Sequence, residues 1–431
     1  MSDVLKVAVI GLGARGMGVY MRHLSRFPDQ VRLIAVADID PERVRLAREQ
    51  YGIEEAMCFP SGEALLAGPK LADCVLICSQ DADHVRQAVQ ATKKGYDILL
   101  EKPISPSLKE CLELLRVSKQ YGNKIIVCHV LRYTPFYSRV HQLVRSGVLG
   151  KIVSIQAAEN VGYWHQTHSF VRGNWRSAEE TSPMILAKCC HDMDIFSWLL
   201  ERPCVSVSSY GSLSYFREEC APEGAAAYCL EGCEIKDACP YDAEKLYVFG
   251  DRMGFASGST DWLKCLTNYP TRENVYHALR HGPYGRCVFY CDNDVVDHQV
   301  VNMLFEGGET ISFSMCAFSK EVTRDLKIMG TLGELRGSME KDLIEIDGFG
   351  RESVSIHVNE SGETLTGHSG GDAGLVRDFV RAMRTENLEE LESVTTLERS
   401  MQSHFIALAA EKSRKSGGSP VNLQKFREEA E

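Results

Sequence analysis

The sequence has no long apolar run, no excess of basic residues and no charged leader before its first apolar segment. Its longest apolar runs have the length of strands, well short of the roughly 20 residues that a membrane-spanning helix needs. The formal net charge of −11 disfavours nucleic acid and anionic membrane surfaces as partners. Because an apolar run begins at Leu5, we expect no export signal and a cytoplasmic location.

The composition is that of a folded, multidomain protein. Hydrophobic residues make up 44% of the 431 positions and charged residues 25%, so disorder is excluded as a general description. This length exceeds what one core usually organises, which predicts two or three domains. The 16 cysteines, in a chain without an export signal, are expected to be free thiols or metal ligands rather than disulfides.

A glycine-rich turn follows the first predicted strand. Residues 6–10 are apolar and β-branched, and the segment Gly11-Leu12-Gly13-Ala14-Arg15-Gly16 separates them from a helical pattern at 17–27. Gly11 permits the tight turn, Gly13 lets backbone N–H groups approach a pyrophosphate, and Gly16 lets the helix pack on the sheet. The pattern predicts a dinucleotide-binding crossover.

An acidic residue ends the second predicted strand. Residues 31–37 lead to Asp38, which lies 22 residues after Gly16, where a carboxylate hydrogen-bonds the ribose hydroxyls of the adenosine. Since this carboxylate would repel a 2′-phosphate, and Ile39 rather than arginine follows it, the sequence favours NAD over NADP. Arg43, one turn later, keeps NADP open.

The alternation of strands and helices continues to about residue 127. We predict further strands at 74–78, 97–100 and 124–127 and helices at 83–94 and 108–119. The alternation predicts an α/β fold, with a Rossmann domain at 1–128 and a second domain at 129–431. Within the second domain, 285–328 is strand-rich, 211–295 contains a cysteine-rich insertion, and a helix is predicted at 395–416.

Several segments resemble one family, the Gfo/Idh/MocA oxidoreductases, which include glucose–fructose oxidoreductase and inositol dehydrogenase. They are the glycine turn, Glu101-Lys102-Pro103, His129 with 132–135, 146–150 and 190–194. The resemblance implies an α/β second domain with a large open, mostly antiparallel sheet, a sugar, sugar derivative or cyclitol as substrate, and a homo-oligomer, dimer or tetramer. The cofactor contacts expected from the turn and the resemblance are Gly11, Gly13, Ala14, Arg15, Gly16, Asp38, Ser79, His84, Glu101 and Lys102.

Three residues are the candidates for acid–base chemistry. A helix predicted at 181–200 would place Lys188, His191 and Asp192 on one face, with Lys102 approaching from the first domain. We expect His191 to accept the hydroxyl proton while Lys102 and Lys188 orient the substrate oxygen. A lysine whose pKa is lowered by burial would exchange roles with the histidine.

Two observations leave alternatives open at this helix. Inositol-type relatives carry an Asp four residues before the histidine, where this chain has Ala187, so their mechanism does not transfer directly. His191 would instead be a structural histidine if it were bonded to Asp194 in the core.

Aromatic and polar residues in the second domain are candidates for binding a polyol. Flat rings cover C–H surfaces and polar tips reach hydroxyls. The predicted substrate residues are Tyr133, Trp164, Arg176 and His368, with Tyr163, His165 and Trp175 beside them. The alternative for the aromatic residues is that they are ordinary core or loop residues. The alternative for His368 is that its loop is only a turn into a helix capped by Asp372.

Four cysteines lie within twenty residues of the insertion. Cys220, Cys229, Cys233 and Cys239 supply enough thiolates for a structural zinc ion or an iron–sulfur cluster. Free thiols and disulfides are the alternatives.

Two other functions share the same sequence features. One is an NAD-retaining glycosidase that oxidises a sugar transiently, eliminates a substituent and reduces the product again. The other is a non-catalytic nucleotide sensor. An exposed sheet face in the second domain would be covered by a second copy of the chain.

Overall fold

The computed structural model of the chain describes residues 4–359 and 368–430. The first domain holds a six-stranded, all-parallel sheet in the order β3-β2-β1-β4-β5-β6. Its strands are β1 (Leu5–Ile10), β2 (Val31–Ala37), β3 (Cys58–Phe59), β4 (Cys74–Ile77), β5 (Asp97–Leu100) and β6 (Ile125–Val127). Its helices are α1 (Arg22–Leu24, after a wide turn at Gly16–Met21), α2 (Pro41–Tyr51), α3 (Gly62–Ala67), α4 (His84–Lys93) and α5 (Leu108–Tyr121).

This first sheet follows directly from local sequence. The strands β4 and β6 are buried along their whole length, as continuous apolar runs between two helical layers should be. Asp40 caps α2 by accepting from the Glu42 N–H, and Ser107 caps α5 in the same way. The predicted parallel sheet is confirmed: the five predicted strands lie within a residue of their expected bounds, and the two-residue strand β3 was not predicted.

The second sheet has nine strands in the order β14-β13-β12-β11-β7-β10-β9-β8-β15, and only its β7–β10 pair is parallel. The strands are β7 (Ile152–Asn160), β8 (Cys204–Ser212), β9 (His298–Phe305), β10 (Thr310–Cys316), β11 (Thr323–Gly330), β12 (Gly333–Ser338), β13 (Leu343–Gly348), β14 (Val354–Ile356) and β15 (Val421–Asn422). The helices are α6 (Pro135–Arg145), α7 (Tyr163–Gln166), α8 (Met184–Ala187), α9 (Cys190–Leu200), α10 (Ala243–Tyr247), α11 (Arg272–His281), α12 (Gly371–Ala382), α13 (Leu397–Lys415) and α14 (Leu423–Glu428).

One face of this sheet is covered and the other is open. Alternate residues of β9 and β10 are buried beneath α9 and α13, while their neighbours point outwards. Val300 and Leu304 on β9 are each more than 40% exposed on the open face. The open, mostly antiparallel sheet and the helix near 395–416 were both predicted and are confirmed.

The helix α12 belongs spatially to the first domain. Its residues Leu375, Val376 and Phe379 pack with Val9 and Leu76 of the parallel sheet in one apolar cluster. The predicted boundary near residue 128 lies between β6 and β7, yet the chain returns across it. The helix returns because its apolar face is buried in this cluster.

The insertion connects β8 to β9, two strands that pair with each other. Ser212 at the end of β8 pairs with His298 at the start of β9, so the ends of the segment 213–297 are adjacent. The segment contains α10 and α11 and has its own apolar clusters, one around Tyr247 and Leu263 and another around Phe216. No helix of the described residues is long and apolar enough to cross a membrane.

Candidate active site

The glycine turn after β1 has a backbone that only glycine permits. Gly11 has φ +86°, and a Cβ there would lie 2.4 Å from the Cys78 carbonyl oxygen. A Cβ on Gly16 would lie 1.9 Å from the Gly11 carbonyl oxygen. At Gly13 the nearest atom to such a Cβ is Arg43 Nη1, at 3.7 Å. The first and third glycines are therefore required by packing, whereas Gly13 leaves an open approach that fits a pyrophosphate.

The ribose acid is placed beside this turn. The Leu12 N–H donates to Asp38 Oδ2 at 2.5 Å, and the Asp40 N–H donates to Asp38 Oδ1 at 2.8 Å. Ile39, between them, is 86% exposed and presents an apolar surface that an adenine ring would cover. The turn, the carboxylate and the apolar surface together fit a dinucleotide.

Arg15 and Glu101 are paired with each other. Arg15 donates to Glu101 at 2.7 Å and to Asp372 at 2.8 Å, and both Arg15 and Glu101 are hydrogen-bonded to the Tyr20 hydroxyl. Burial alone would raise the pKa of Glu101, but the Arg15 charge beside it lowers that pKa below its usual range. Their side chains tie the glycine turn to β5 and α12, instead of reaching out as the predicted cofactor contacts.

Ser79 and His84 brace the same edge of the sheet. The two ring nitrogens of His84 lie 2.7 and 3.1 Å from the carbonyl oxygens of Pro103 and Ser79, and the Ser79 hydroxyl donates to Gln87. Both nitrogens are thus engaged with backbone. His84 positions the loops after β4 and β5, and its predicted direct contact with the cofactor is not what this geometry favours.

Lys102 reaches from the first domain into the second. The Lys102–Pro103 peptide is cis, and Lys102 Nζ donates to the Ala187 carbonyl oxygen at 2.8 Å. In a continuous helix that carbonyl would accept from the N–H of residue 191. The lysine takes this acceptor, and the chain breaks between α8 and α9 at 188–189. The single helix predicted over 181–200 is therefore wrong.

The break separates the three residues that were expected to share a face. His191 lies with its ring centroid 5.7 Å from that of His129 and 6.0 Å from that of His368. Asp192 turns instead towards Arg324, which donates to it at 3.1 Å. Lys188 lies 3.3 Å from Glu159. The residues surround one region from different sides.

His191 has the properties of a buried, neutral base. It is 4% exposed, and its Nδ1 atom has no hydrogen-bond partner among the described residues. Burial, and then the charge of Lys102, lower the pKa of His191 well below its usual range. The alternative role as a core histidine bonded to Asp194 is wrong, because Arg132 holds that carboxylate with two hydrogen bonds of 2.6 Å.

Glu159 and Arg324 also belong to the site, although no sequence motif indicates them. They form a cross-strand pair on β7 and β11, with Arg324 Nε 2.8 Å from Glu159 Oε2. Burial lowers the pKa of Lys188, and the Glu159 carboxylate opposes that change. Burial raises the pKa of Asp192, and the nearby Arg324 opposes it. Alternating burial marks both strands, but it does not indicate which residues meet.

The predicted substrate residues divide into two groups. His368 is near the cluster, with its ring centroid 6.0 Å from that of His191. Trp164 stacks on His165 at 5.7 Å, and the pKa of His165 is lowered by burial and then by the charge of Lys188. Tyr133 is not in the pocket, because its buried hydroxyl is bonded to Thr395. Arg176 is held in ion pairs with Asp292 and Glu180. These two predictions are corrected, since both polar groups are already engaged.

The described residues do not support the predicted metal site. In residues 4–359 and 368–430, no group of three or more His, Cys, Asp or Glu side chains has the geometry to hold a metal ion. Cys220 Sγ lies 3.6 Å from the Ser214 carbonyl oxygen, and Cys229 Sγ lies 3.6 Å from Arg172 Nη2. Cys220, Cys229, Cys233 and Cys239 are all free thiols. Apolar clusters around Tyr247 and Phe216 pack the insertion.

Comparisons with known proteins identify relatives of this chain. A family model described as "Oxidoreductase family, NAD-binding Rossmann fold" matches residues 5–129. Another, described as "Oxidoreductase family, C-terminal alpha/beta domain", matches residues 141–423.

Individual relatives are distant in sequence. YteT of Bacillus subtilis, named as an oxidoreductase, is 23% identical over 388 residues, which cover 86% of this chain and 88% of YteT. Inositol 2-dehydrogenase of Burkholderia lata is 26% identical over 203 residues, 47% of this chain, and the match spans 56% of that enzyme. An inositol dehydrogenase homolog from Azotobacter vinelandii, solved with NAD⁺, has a TM-score of 0.68 at 14% identity over 98% of each chain. The structural likeness shows the fold.

Proposed function

Because the chain belongs to the Gfo/Idh/MocA family of NAD-binding oxidoreductases, we propose that it oxidises or forms a hydroxyl-bearing carbon of a sugar, sugar derivative or cyclitol. One observation carries the proposal. Lys102, from the first domain, donates to the Ala187 carbonyl at 2.8 Å, four residues before His191. An ammonium and a buried neutral imidazole therefore meet at the cleft beside the glycine turn.

The residues of the site divide the work of alcohol oxidation. Oxidation removes a hydride from carbon and a proton from oxygen, and NAD, when bound, supplies the hydride acceptor. His191 accepts the hydroxyl proton on its neutral imidazole ring. Lys102 donates to the substrate oxygen and stabilises the negative charge that develops there. In the reverse direction His191 returns the proton.

The surroundings of His191 prepare it for this role. Its lowered pKa keeps the ring neutral at physiological pH, so the base is present before the substrate arrives. The His368 ring centroid lies 6.0 Å from that of His191, and we propose that His368 and Lys188 orient the neighbouring hydroxyls. Trp164 and His165 supply flat faces for the C–H surface of the substrate.

A second candidate function uses the same residues in a redox-neutral cycle. An NAD-retaining glycosidase oxidises one carbon, removes a proton from the carbon beside the new carbonyl and eliminates the aglycone, adds water to the resulting double bond, and returns the hydride to the carbonyl. Such an elimination needs a second base close to the first. Lys188 favours this candidate, because burial lowers its pKa and so favours the uncharged amine that a base needs.

A substrate panel distinguishes the candidates. The full chain is incubated with NAD and, separately, with cyclitols, free sugars, sugar acids and aryl glycosides, while NADH and released phenol are both followed. NADH that accumulates with a cyclitol or free sugar supports the dehydrogenase. Phenol released without NADH supports the glycosidase. Nucleotide binding without turnover of any compound contradicts both enzyme candidates and is the result expected of a nucleotide sensor.

We further propose that the chain works in the cytoplasm as a homo-oligomer, dimer or tetramer, built on the open face of the second sheet. The exposed apolar residues Val300 and Leu304 on that face support association. Light scattering of the purified chain measures the oligomer, and a monomer at micromolar concentration would contradict it.

A further inference from the structure

One segment of the insertion reaches the first domain and is not used in the proposed chemistry. We call residues 262–269, from Trp262 to Tyr269, the nucleotide strap. The insertion leaves the second sheet at the paired residues Ser212 and His298, so nothing in the sheet requires it to travel this far. It nevertheless ends against the first turns of α2, which directly follow the ribose acid.

The outer end of the nucleotide strap is bonded to α2. Asn268 Nδ2 donates to Asp40 Oδ2 at 2.9 Å, and Arg43 Nε donates to Asn268 Oδ1 at 3.5 Å. The Tyr269 hydroxyl is bonded to Glu42 and Arg45. The hydrogen bond from Asn268 is the main reason why the pKa of Asp40 lies below its usual range.

The residues that the nucleotide strap holds are those around the predicted nucleotide position. The Asp40 N–H donates to Asp38, whose other carboxylate oxygen accepts from Leu12 in the glycine turn. Arg43 Nη1 lies 3.7 Å from the point where a Cβ on Gly13 would be. A continuous set of hydrogen bonds therefore runs from Asn268 through Asp40 and Asp38 to the backbone that faces a pyrophosphate.

The inner end is fixed at the wall of the substrate site. The ring centroid of Trp262 lies 5.3 Å from that of His165 and 5.0 Å from that of His168. Leu263 is fully buried in the apolar cluster of the insertion. Because both ends are held, the eight residues bridge the substrate wall and the adenosine corner of the cleft.

We propose that the nucleotide strap is part of the dinucleotide site: it keeps Asp40 and Arg43 in place and closes the corner through which NAD leaves. NAD release then requires the contacts of Asn268 and Tyr269 to break first. These contacts are at the surface, so each contributes modestly. The inference concerns NAD release and does not depend on which substrate the enzyme uses.

The test measures NADH dissociation from the full chain. Protein loaded with NADH is mixed with excess NAD⁺, and the loss of the fluorescence of bound NADH gives the dissociation rate. The variants are Asn268→Ala, Tyr269→Phe and the double substitution. We expect each single variant to release NADH about threefold to tenfold faster, and the double variant faster still.

Matched controls carry the same types of substitution, Asn→Ala and Tyr→Phe, at residues away from the cleft. Asn387→Ala changes an exposed residue that donates to Glu390, and Tyr121→Phe changes an exposed residue at the end of α5. Both controls should release NADH at the wild-type rate. Thermal melting, read for every protein, detects any variant that fails to fold.

The outcomes separate this inference from the proposed function. A double variant that releases NADH within twofold of wild type overturns the role of the nucleotide strap, even if the enzyme oxidises a sugar. A wild-type chain that does not bind NADH overturns it as well. Faster release from the variants supports it, even if no sugar is oxidised and the proposed function fails.

Discussion

The two halves of the cleft are assembled in different ways. The nucleotide half uses residues that directly follow β1, β2, β4 and β5, so each functional position is a strand end of one parallel sheet. The substrate half gathers side chains from segments far apart in the chain, namely Glu159, Lys188, His191, Arg324 and His368.

The nucleotide half depends on backbone geometry, whereas the substrate half depends on buried charged groups. In the nucleotide half, positive φ values and close backbone contacts decide what fits. In the substrate half, burial and neighbouring charges shift the pKa values of His191, Lys188 and Asp192. Substitutions in the two halves should therefore damage different properties.

The largest expected effect comes from the substrate half. His191→Asn keeps a polar group of similar size but removes the base, so we expect turnover to fall about 10²- to 10⁴-fold. NADH affinity, measured by fluorescence, should stay unchanged because the glycine turn is not touched. The control is His277→Asn on the exposed face of α11. Wild-type turnover in the His191 variant would contradict its role as the base.

A pair of glycine substitutions tests the nucleotide half. Gly13→Ala should keep the melting temperature and weaken NADH binding about tenfold, because its Cβ meets open space where the cofactor approaches. Gly11→Ala should destabilise the fold itself by about 1–3 kcal/mol or more, since φ +86° is strained for alanine and its Cβ clashes with backbone. Titration with NADH and thermal melting measure the two effects.

The comparison between the two glycines is the control. If Gly13→Ala lowered the melting temperature as much as Gly11→Ala, the open approach at residue 13 would be disproved.

The smallest effect is a change in pH dependence. Glu159→Gln removes the carboxylate that opposes the burial effect on Lys188, so the pKa of Lys188 should fall further. A charged Lys188 is present below its pKa and is lost as pH rises through it. If that charge orients substrate, the alkaline limb of the rate–pH profile moves to lower pH in the variant.

Turnover measured across pH checks this shift, with Glu306→Gln as an exposed control after β9. An alkaline limb that stays in place would show that Glu159 does not act through Lys188. Thermal melting is measured in parallel, because Glu159 is also paired with Arg324.

The prediction from sequence succeeded and failed along the same division. The glycine turn, Asp38 and Lys102 were predicted from contiguous motifs, and the structure places all three at strand ends of the first sheet; their roles in binding and catalysis stay predictions. Tyr133 was assigned to the pocket from its residue type alone, and the structure buries its hydroxyl against Thr395. The metal site was inferred from cysteine spacing, which does not fix ligand geometry, and the described residues contain no group of three or more side chains arranged to hold an ion.

The helix at 181–200 failed for a related reason. Its local pattern is helical, but the Lys102 side chain, which comes from the other domain, donates to the Ala187 carbonyl. A partner 85 residues away in the chain decided the local backbone. Periodicity reports which face of a segment is buried, and it carries no information about what lies opposite.

By itself the sequence determined the parallel sheet, the dinucleotide turn and the placement of Lys102 at a strand end, because each depends on residues that are neighbours in the chain. Only the tertiary structure decided that Arg324 meets Asp192, 132 residues away, and that Asn268 meets Asp40. Pairing of buried charges and the docking of an insertion depend on the three-dimensional path of the backbone, which no local pattern encodes.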